Sequence, residues 1–343
     1  KLTLASKPQR APVAIDWSPR NHYISRLLPE QPRGFSGTWL YNVSLVGGAQ
    51  NDALGLMNSL RMRPKIVGPE DVVADLGKYK VLWLPYNKGM DETEAKAIEA
   101  FVEAGGLVVA DNEPGTYTQH GRRRTDSERL LKRLFPDFTK PALVRHGKGH
   151  ALYLAGKLNA YPDRMLAGDF AGADLVAAAL KKYAGLEAPV EIREGGRPVR
   201  DVRMTEYDIG ETRLVGILRR HAGTDPDDER TYEFDFRGEY DVWDLYEGKY
   251  LGRASKMKLA VSKLPKMLAL APKKFPDDDA WHLEVFGPDG AELECYRRNY
   301  VVRDGRPPKV ELPRALNAAK GDYRKVFTSA LTGRRVEEKF TWR

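Results

Sequence analysis

The sequence predicts a mixed protein, a doubly wound α/β domain built on a parallel sheet followed by all-β domains. Three observations predict it. Short, almost continuous apolar runs alternate with amphipathic segments through the first half, as buried parallel strands and their crossover helices do. Helical periodicity ends near residue 188, and period-two alternation replaces it. The length of 343 residues suggests two or three domains at roughly 150 residues each. The boundaries expected are 1–187 for the α/β domain, 188–272 for a β-sandwich and 273–343 for a second, smaller one.

Pro12-Val13-Ala14-Ile15-Asp16 is the first strand. The stretch after it, with Pro19, Pro29, Pro32, Gly34 and Gly37, has loop composition, and long loops within compact domains are often functional. Asn51 or Asp52 is suited to cap a helix carrying Leu54, Leu56, Met57 and Leu60. Lys65-Ile66-Val67 gives a second strand. Val81-Leu82-Trp83-Leu84-Pro85 gives a third, apolar throughout because both faces would be covered.

The next helix has the clearest punctuation. Asp91 is the N-cap, and Glu94 stands three residues on, the spacing of a capping box. Ala95, Ile98, Phe101 and Val102 make its apolar face. Gly105-Gly106 ends it, and the strand Leu107 to Asp111 follows at once. Strand, helix and strand at this spacing form a parallel crossover. A helix from about Ser127 to Phe135, a strand from Ala151 to Leu154 after the turn Gly147-Lys148-Gly149, and an alanine-rich helix from Gly172 to Tyr183 complete the domain.

Beyond Pro189, Tyr232, Phe234 and Phe236 alternate with charged residues, as do Met257, Leu259 and Val261. Glu247-Gly248 and Leu251-Gly252 supply turns. The linker Pro272 to Pro276 and Asp277 to Asp279 mark a second boundary. Strands are then expected at Trp281–Phe286, Leu293–Tyr296, Lys309–Leu312, Tyr323–Thr328 and Lys339–Trp342, with turns at Gly287-Pro288-Asp289-Gly290 and Thr332-Gly333. Such a set fits a small immunoglobulin-like sandwich.

Composition narrows the function classes. Apolar residues make up 42% and charged residues 30%, which suits a globular chain and argues against disorder. No run approaches the roughly 20 apolar residues of a membrane span. The net charge is +8. It is spread in small clusters, Arg122-Arg123-Arg124, Arg219-Arg220 and Lys273-Lys274, each followed by acids, so nucleic acid is an unfavoured partner. The single cysteine, Cys295, excludes an intrachain disulfide and a multi-cysteine metal site. The compartment stays open, export or a periplasmic location included.

Tyr79 to Pro85, then Met90-Asp91-Glu92-Thr93-Glu94, then Phe101 to Ala110 with Gly105-Gly106 at its centre, together resemble the β-galactosidase trimerisation domain. That module belongs to the class I glutamine amidotransferase-like fold, related in form to flavodoxin. Gly115, Tyr117 and Gly121 and the Gly147-Lys148-Gly149 turn fit the same pattern, and the match runs from about 11 to 185. Asp241-Val242-Trp243-Asp244-Leu245 with Gly248 to Gly252 looks like the β-sandwiches appended to glycoside hydrolases, and Gly287 to Gly290 with Leu331-Thr332-Gly333 like bacterial immunoglobulin-like modules. The resemblance implies a noncatalytic oligomerisation region of a bacterial β-galactosidase-like protein, whose partners are further copies of itself or a catalytic barrel. That barrel, carrying the paired glutamates, takes roughly 250 residues and has no room before the first strand.

The chemistry available in the residues is limited. Cys295 lies on the expected Leu293–Tyr296 strand, as a small core residue rather than at a nucleophile elbow. His146 and His150 are four apart but flank a turn, so they do not share a helical face as zinc ligands would. No metal and no cofactor is expected. In a doubly wound sheet, ligands bind beyond the carboxyl ends of the strands. The candidate ligand-binding residues there are Asp16, Trp17 and His22 after the first strand, Asn87 after the central one, and Asp111, Asn112, Glu113, Tyr117 and His120 after the next. Carboxylates beside aromatic rings suit a sugar, whose apolar face stacks while its hydroxyls donate. Equally, Asp and Asn at strand ends cap loops. A separate carbohydrate-binding protein using this crevice, and a hydrolase with an unfamiliar site, are the alternatives. Trp243, Tyr246 and Tyr250 offer a second aromatic platform, although a tryptophan in that pattern more often fills a sandwich core.

Overall fold

The computed structural model describes residues 7–27, 45–219, 228–262, 264–272, 279–302, 306–315, 318–330 and 333–342. It is a mixed α/β and β protein. Residues 10–189 form one compact unit, and the chain on either side of them forms another. The loop expected through Pro29, Pro32, Gly34 and Gly37 and the linker residues Lys273 to Pro276 lie outside the described residues, as do Arg220, His221, Leu331 and Thr332.

The first unit is built on six strands, β2 (Val13–Asp16), β3 (Lys65–Val67), β4 (Val81–Leu84), β5 (Leu107–Ala110), β6 (Ala142–His146) and β7 (Gly149–Tyr153). Their order is β3-β2-β4-β5-β7-β6. The first five are parallel and β6 is antiparallel to β7. The helices are α1 (Pro19–Leu27), α2 (Leu45–Ser59), α3 (Pro69–Asp75), α4 (Glu92–Glu103), α5 (Tyr161–Leu166) and α6 (Ala171–Ala179).

The apolar runs are buried on both faces because successive side chains alternate between two cores. Val13, Ile15, Val81, Trp83, Leu107 and Val109 meet Leu56 and Met57 of α2 and Val176 of α6. Ala14, Leu82, Leu84, Val108 and Ala110 meet Val72 of α3 and Ile98, Phe101 and Val102 of α4. Gly149 opens β7 in close contact with the backbone carbonyls of Val102 and Gly106, which a side chain at this position would strike.

Several expectations change. The stretch after β2 contains α1, with Pro19 at its first turn, where the missing N–H is no loss. α2 begins at Leu45, before Asn51. α3, α5 and the edge strand β6 add to the expected elements. The segment Ser127–Phe135 is a series of turns rather than a helix. Leu131 takes φ 56, and the Leu130 N–H goes to the Gly115 carbonyl at 3.4 Å, so no helical ladder runs through it.

The second unit is antiparallel. Before the first unit lies β1 (Lys7–Pro8); after it come β8 (Glu191–Glu194), β9 (Arg197–Pro198), β10 (Val202–Ile209), β11 (Thr212–Arg219), β12 (Arg230–Asp244), β13 (Lys249–Val261) and β14 (Lys266–Ala271). They form one eight-stranded sheet in the order β1-β10-β11-β14-β12-β8-β9, with β13 also on β12. A four-stranded sheet has the order β16-β15-β17-β18, from β15 (Asp279–Phe286), β16 (Arg298–Val302), β17 (Gly321–Ser329) and β18 (Arg335–Trp342). Tyr232, Phe234 and Phe236 line the core of the larger sheet, as their alternation predicts. Trp281, Leu283, Tyr323 and Phe327 line that of the smaller.

Three expectations fail in this unit. Glu294–Tyr296 is a 3₁₀ turn, not a strand, and Cys295 on it is exposed rather than a core residue. Lys309–Leu312 forms no strand. Trp243 stands outside the core of the larger sheet. The register of β12 against β13 shifts between Val242 and Trp243, so Val242 enters the core while Trp243 packs on Tyr250, with ring centroids 4.8 Å apart.

Candidate functional site

The chain leaves β2 toward β3 on one side and returns to β4 on the other. This reversal is where doubly wound sheets open a ligand crevice. Asp16 ends β2 there with 0% exposure. Asn87, three residues past β4, donates its side-chain N–H to Asp16 Oδ2. Glu94, on the first turn of α4, is also 0% exposed and turns inward, where the Asp16 charge acts on it. Arg20 of α1 completes the group, its Nη1 3.1 Å from Asp91 Oδ2 and 3.2 Å from Glu94 Oε2.

Local sequence explains the placements. Asp91 caps α4, its Oδ1 accepting the Glu94 N–H at 2.8 Å. The reciprocal bond of a capping box is missing because Glu94 lies on the same helical stripe as Ile98 and Phe101 and faces inward with them. Asn21, next to Arg20, accepts from the Gly89 N–H at 2.7 Å and donates to the Gly89 carbonyl at 3.3 Å. Gly89 has no side chain because Ile24 of α1 occupies that space. The crevice position is thus filled by the protein's own side chains.

Burial dominates the electrostatics. It raises the Asp16 carboxyl well above the ordinary carboxylate range, against the lowering effects of Asn87 and Arg20. Burial and then the neighbouring Asp16 charge raise Glu94 likewise. Two neighbouring carboxyls disfavour each other's ionisation. Oxygens Asp16 Oδ1 and Glu94 Oε1 have no hydrogen-bond partner among the described residues.

Asp111 belongs to a different group. Its carboxyl is 5% exposed and burial raises it to about 6, while the Gly156 N–H donates to the Asp111 backbone carbonyl at 3.0 Å. Asp52 of α2 stands near it and accepts the N–H groups of Ala160 at 3.0 Å and Tyr161 at 2.9 Å. Burial raises Asp52 to about 6 as well.

The remaining candidates are dispersed. Trp17 and His22 lie with ring centroids 5.9 Å apart. Burial lowers His22, and its hydrogen bond with Gln50 opposes that shift. Asn112 donates to the Pro85 carbonyl at 3.0 Å. Tyr117 pins its loop to the β4 end through backbone bonds, donating to Lys88 O at 2.8 Å and accepting from Met90 N at 3.2 Å. The Glu113 carbonyl accepts from Thr116, and His120 is exposed beside Gln119. The structure therefore joins Asp16 to Asn87 and Trp17 to His22, and it does not gather all nine in one cluster. Sequence reasoning missed Arg20 and the inward role of Glu94. A charged residue in register with Ile98 and Phe101 was the available signal.

Among the described residues no group of three or more His, Cys, Asp or Glu side chains is arranged to hold a metal ion. His146 pairs with Glu103 at 3.2 Å, while His150 stacks on Tyr183 at 4.1 Å. Glycoside hydrolysis needs carboxyl groups roughly 5–9.5 Å apart with a sugar or water between them. Asp16 and Glu94 are both 0% exposed, so neither faces a space open to a sugar. No helix among the described residues is long and apolar enough to cross a membrane.

No family model matches the chain, and no curated protein matches it significantly. Solved structures do resemble it. Gan42B, a GH42 β-galactosidase from G. stearothermophilus, aligns with TM-score 0.54 and 15% identity over 76% of this chain and 40% of its own. A β-galactosidase from Bacillus circulans sp. alkalophilus gives TM-score 0.53 and 14% identity over 76% of this chain and 41% of its own. One from Rahnella sp. R3 gives 0.51 and 16%, over 77% and 41%. The chain has the fold of part of these glycosidases and spans about two fifths of their length.

Proposed function

We propose that the chain is a noncatalytic accessory region of a bacterial β-galactosidase-like protein, associating with copies of itself or with a catalytic barrel. In this reading residues 1–187 are a trimerisation-type domain of the amidotransferase-like fold. Residues 188–272 are a β-sandwich and 273–343 an immunoglobulin-like one. The observation that carries the reading is the filled switch point: Asn87 bonds Asp16 and Arg20 bonds Glu94 where a doubly wound enzyme keeps its crevice. The partial likeness in fold to β-galactosidases supports it. Light scattering on the sized chain tests it together with turnover of a chromogenic galactoside. A closed oligomer without turnover is the expected result. A monomer at high concentration, or turnover by the chain itself, overturns the reading.

A second reading, carbohydrate binding at the strand ends, is favoured by one observation. Trp17, Asn112, Glu113 and Tyr117 stay partly exposed on the loops after β2 and β5. Calorimetry with galactosides on the native chain and on the Glu113→Ala and Asp111→Ala variants addresses it, and binding equal in all three removes this site.

A further inference from the structure

We propose that the outer edge of β18 pairs with the β18 of a second copy of this chain, antiparallel about a two-fold axis at Glu338, so that two four-stranded sheets become one of eight. The proposal rests on the self-association reading above and gives it a surface. β18 ends its sheet, bonded to β17 on one side and, among the described residues, to no strand on the other. An edge of this kind offers its outward backbone N–H and C=O groups to another strand.

Charged residues often guard such edges, and β18 carries Arg335, Glu337, Glu338 and Lys339. The pattern decides between guard and interface. A two-fold axis normal to the sheet keeps like face with like face, so only residues of the same face can oppose each other. Val336, Phe340 and Trp342 lie half-buried on the core face. Glu338 shares their row by alternation, and Arg335, Glu337, Lys339 and Thr341 make the other row.

With the axis at Glu338, Val336 meets Phe340 twice on the core face and Glu337 meets Lys339 twice on the other. Cross-strand pairs of both kinds stabilise. An axis at Glu337 sets Arg335 against Lys339 and Val336 against Glu338. An axis at Lys339 sets Lys339 against itself and Glu338 against Phe340. An axis at Val336 matches Arg335 with Glu337 but leaves Phe340 and Trp342 beyond the mate's β18. The Glu338 register alone matches apolar with apolar and acid with base along the strand.

Lys339 gives an independent sign. It stands opposite Arg324 of β17, a like charge, and Arg324 is held by Glu337 at 3.4 Å. Among the described residues Lys339 has no acidic partner. The mate's Glu337 supplies one. At the axis two Glu338 carboxylates oppose each other, and each is met by Lys325 of its own chain, 3.4 Å from Oε2. Arg335 comes opposite Thr341, which bonds Asp322 at 2.6 Å, so that row also ends on an acid.

Cysteine cross-linking of the full chain, in a Cys295→Ser background, reads the register. Glu338→Cys should oxidise to a covalent dimer, because residues at the axis oppose each other with Cα atoms about 4.5–5.5 Å apart. Lys339→Cys faces Glu337 of the mate and should lose that cross-link. Sedimentation equilibrium reads the charges. Lys339→Glu should weaken dimerisation by about tenfold, since each contact occurs twice, and it sets an acid opposite Arg324, which spares the fold. Glu337→Lys combined with Lys339→Glu should restore native association. Equal cross-linking of the two cysteine variants, or equal association of the native chain and both charge variants, would overturn the pairing. An oligomer that persists without the Glu338→Cys cross-link refutes the pairing and leaves self-association standing, whereas a monomer refutes both. A Glu338→Cys dimer that assembles no further supports the pairing and removes the trimerisation reading of residues 1–187.

Discussion

Asn87 and Asp16 are 71 residues apart in sequence and bond directly across the ends of two adjacent parallel strands. The bond is buried and is the sole side-chain link from the β4 loop to the Asp16 carboxyl among the described residues. Asn87→Leu removes the donor and leaves Asp16 Oδ2 without a partner. The expected loss is about 1–3 kcal/mol, the cost of a buried acceptor left unsatisfied, read from urea unfolding of the full chain. A midpoint unchanged from the native chain would show that the bond contributes nothing.

Asp52 predicts a pH dependence of stability. Its folded form holds a proton up to about 6, above the ordinary value of 3.8, because it is buried. Asp111 shifts in the same direction. A raised carboxyl favours folding below the unfolded value and loses that contribution as pH climbs through the folded one. Urea midpoints should therefore fall between pH 4 and pH 7. Asp52→Asn should shrink the fall without abolishing it, since Asp16, Glu94 and Asp111 keep their share. An identical fall in the variant would refute the assignment.

Two glycine substitutions should act in opposite directions. Gly149→Ala drives a methyl group into the carbonyls of Val102 and Gly106, backbone that cannot step aside. Little soluble protein is expected, or a large drop in melting temperature. Gly48 lies inside α2 with nothing within 4 Å of a new Cβ. Gly48→Ala should stabilise by up to about 1 kcal/mol, the difference in helix propensity. Differential scanning calorimetry of both variants checks the contrast.

Cys295 is exposed on a 3₁₀ turn. A maleimide should modify it fully in the native chain, without denaturant and with no change in melting temperature. Labelling that requires unfolding would mean that the thiol is covered.

Much of the fold was legible because its signals are local. The Asp91 cap, the Ile98 and Phe101 stripe and the Gly105-Gly106 stop lie within one 16-residue stretch, and α4 with its flanking strands follows them. The Ser127–Phe135 segment carries equally helical residues, yet Leu130 spends its N–H on Gly115 and the helical bond from Phe135 N–H to Leu131 O closes only a turn. Of the candidate site, the strand-end rule located Asp16 and Asn87. It could not show that Glu94 turns inward, since its capping role and its buried role fit the same spacing. Arg20 reaches Glu94 across 74 positions of sequence, a contact that only the folded topology creates.

The pairing of β1 with β10 sets an order of assembly during synthesis. Lys7 and Pro8 find their partners at Asp208 and Tyr207, some 200 residues later, or about 10–40 s of translation at ordinary ribosomal rates. All strands of the α/β sheet, the last ending at Tyr153, are made within that interval, while Lys7 and Pro8 wait. A pause or truncation between residues 190 and 202 would therefore leave the six-stranded sheet complete and Lys7–Pro8 without β10 to pair with.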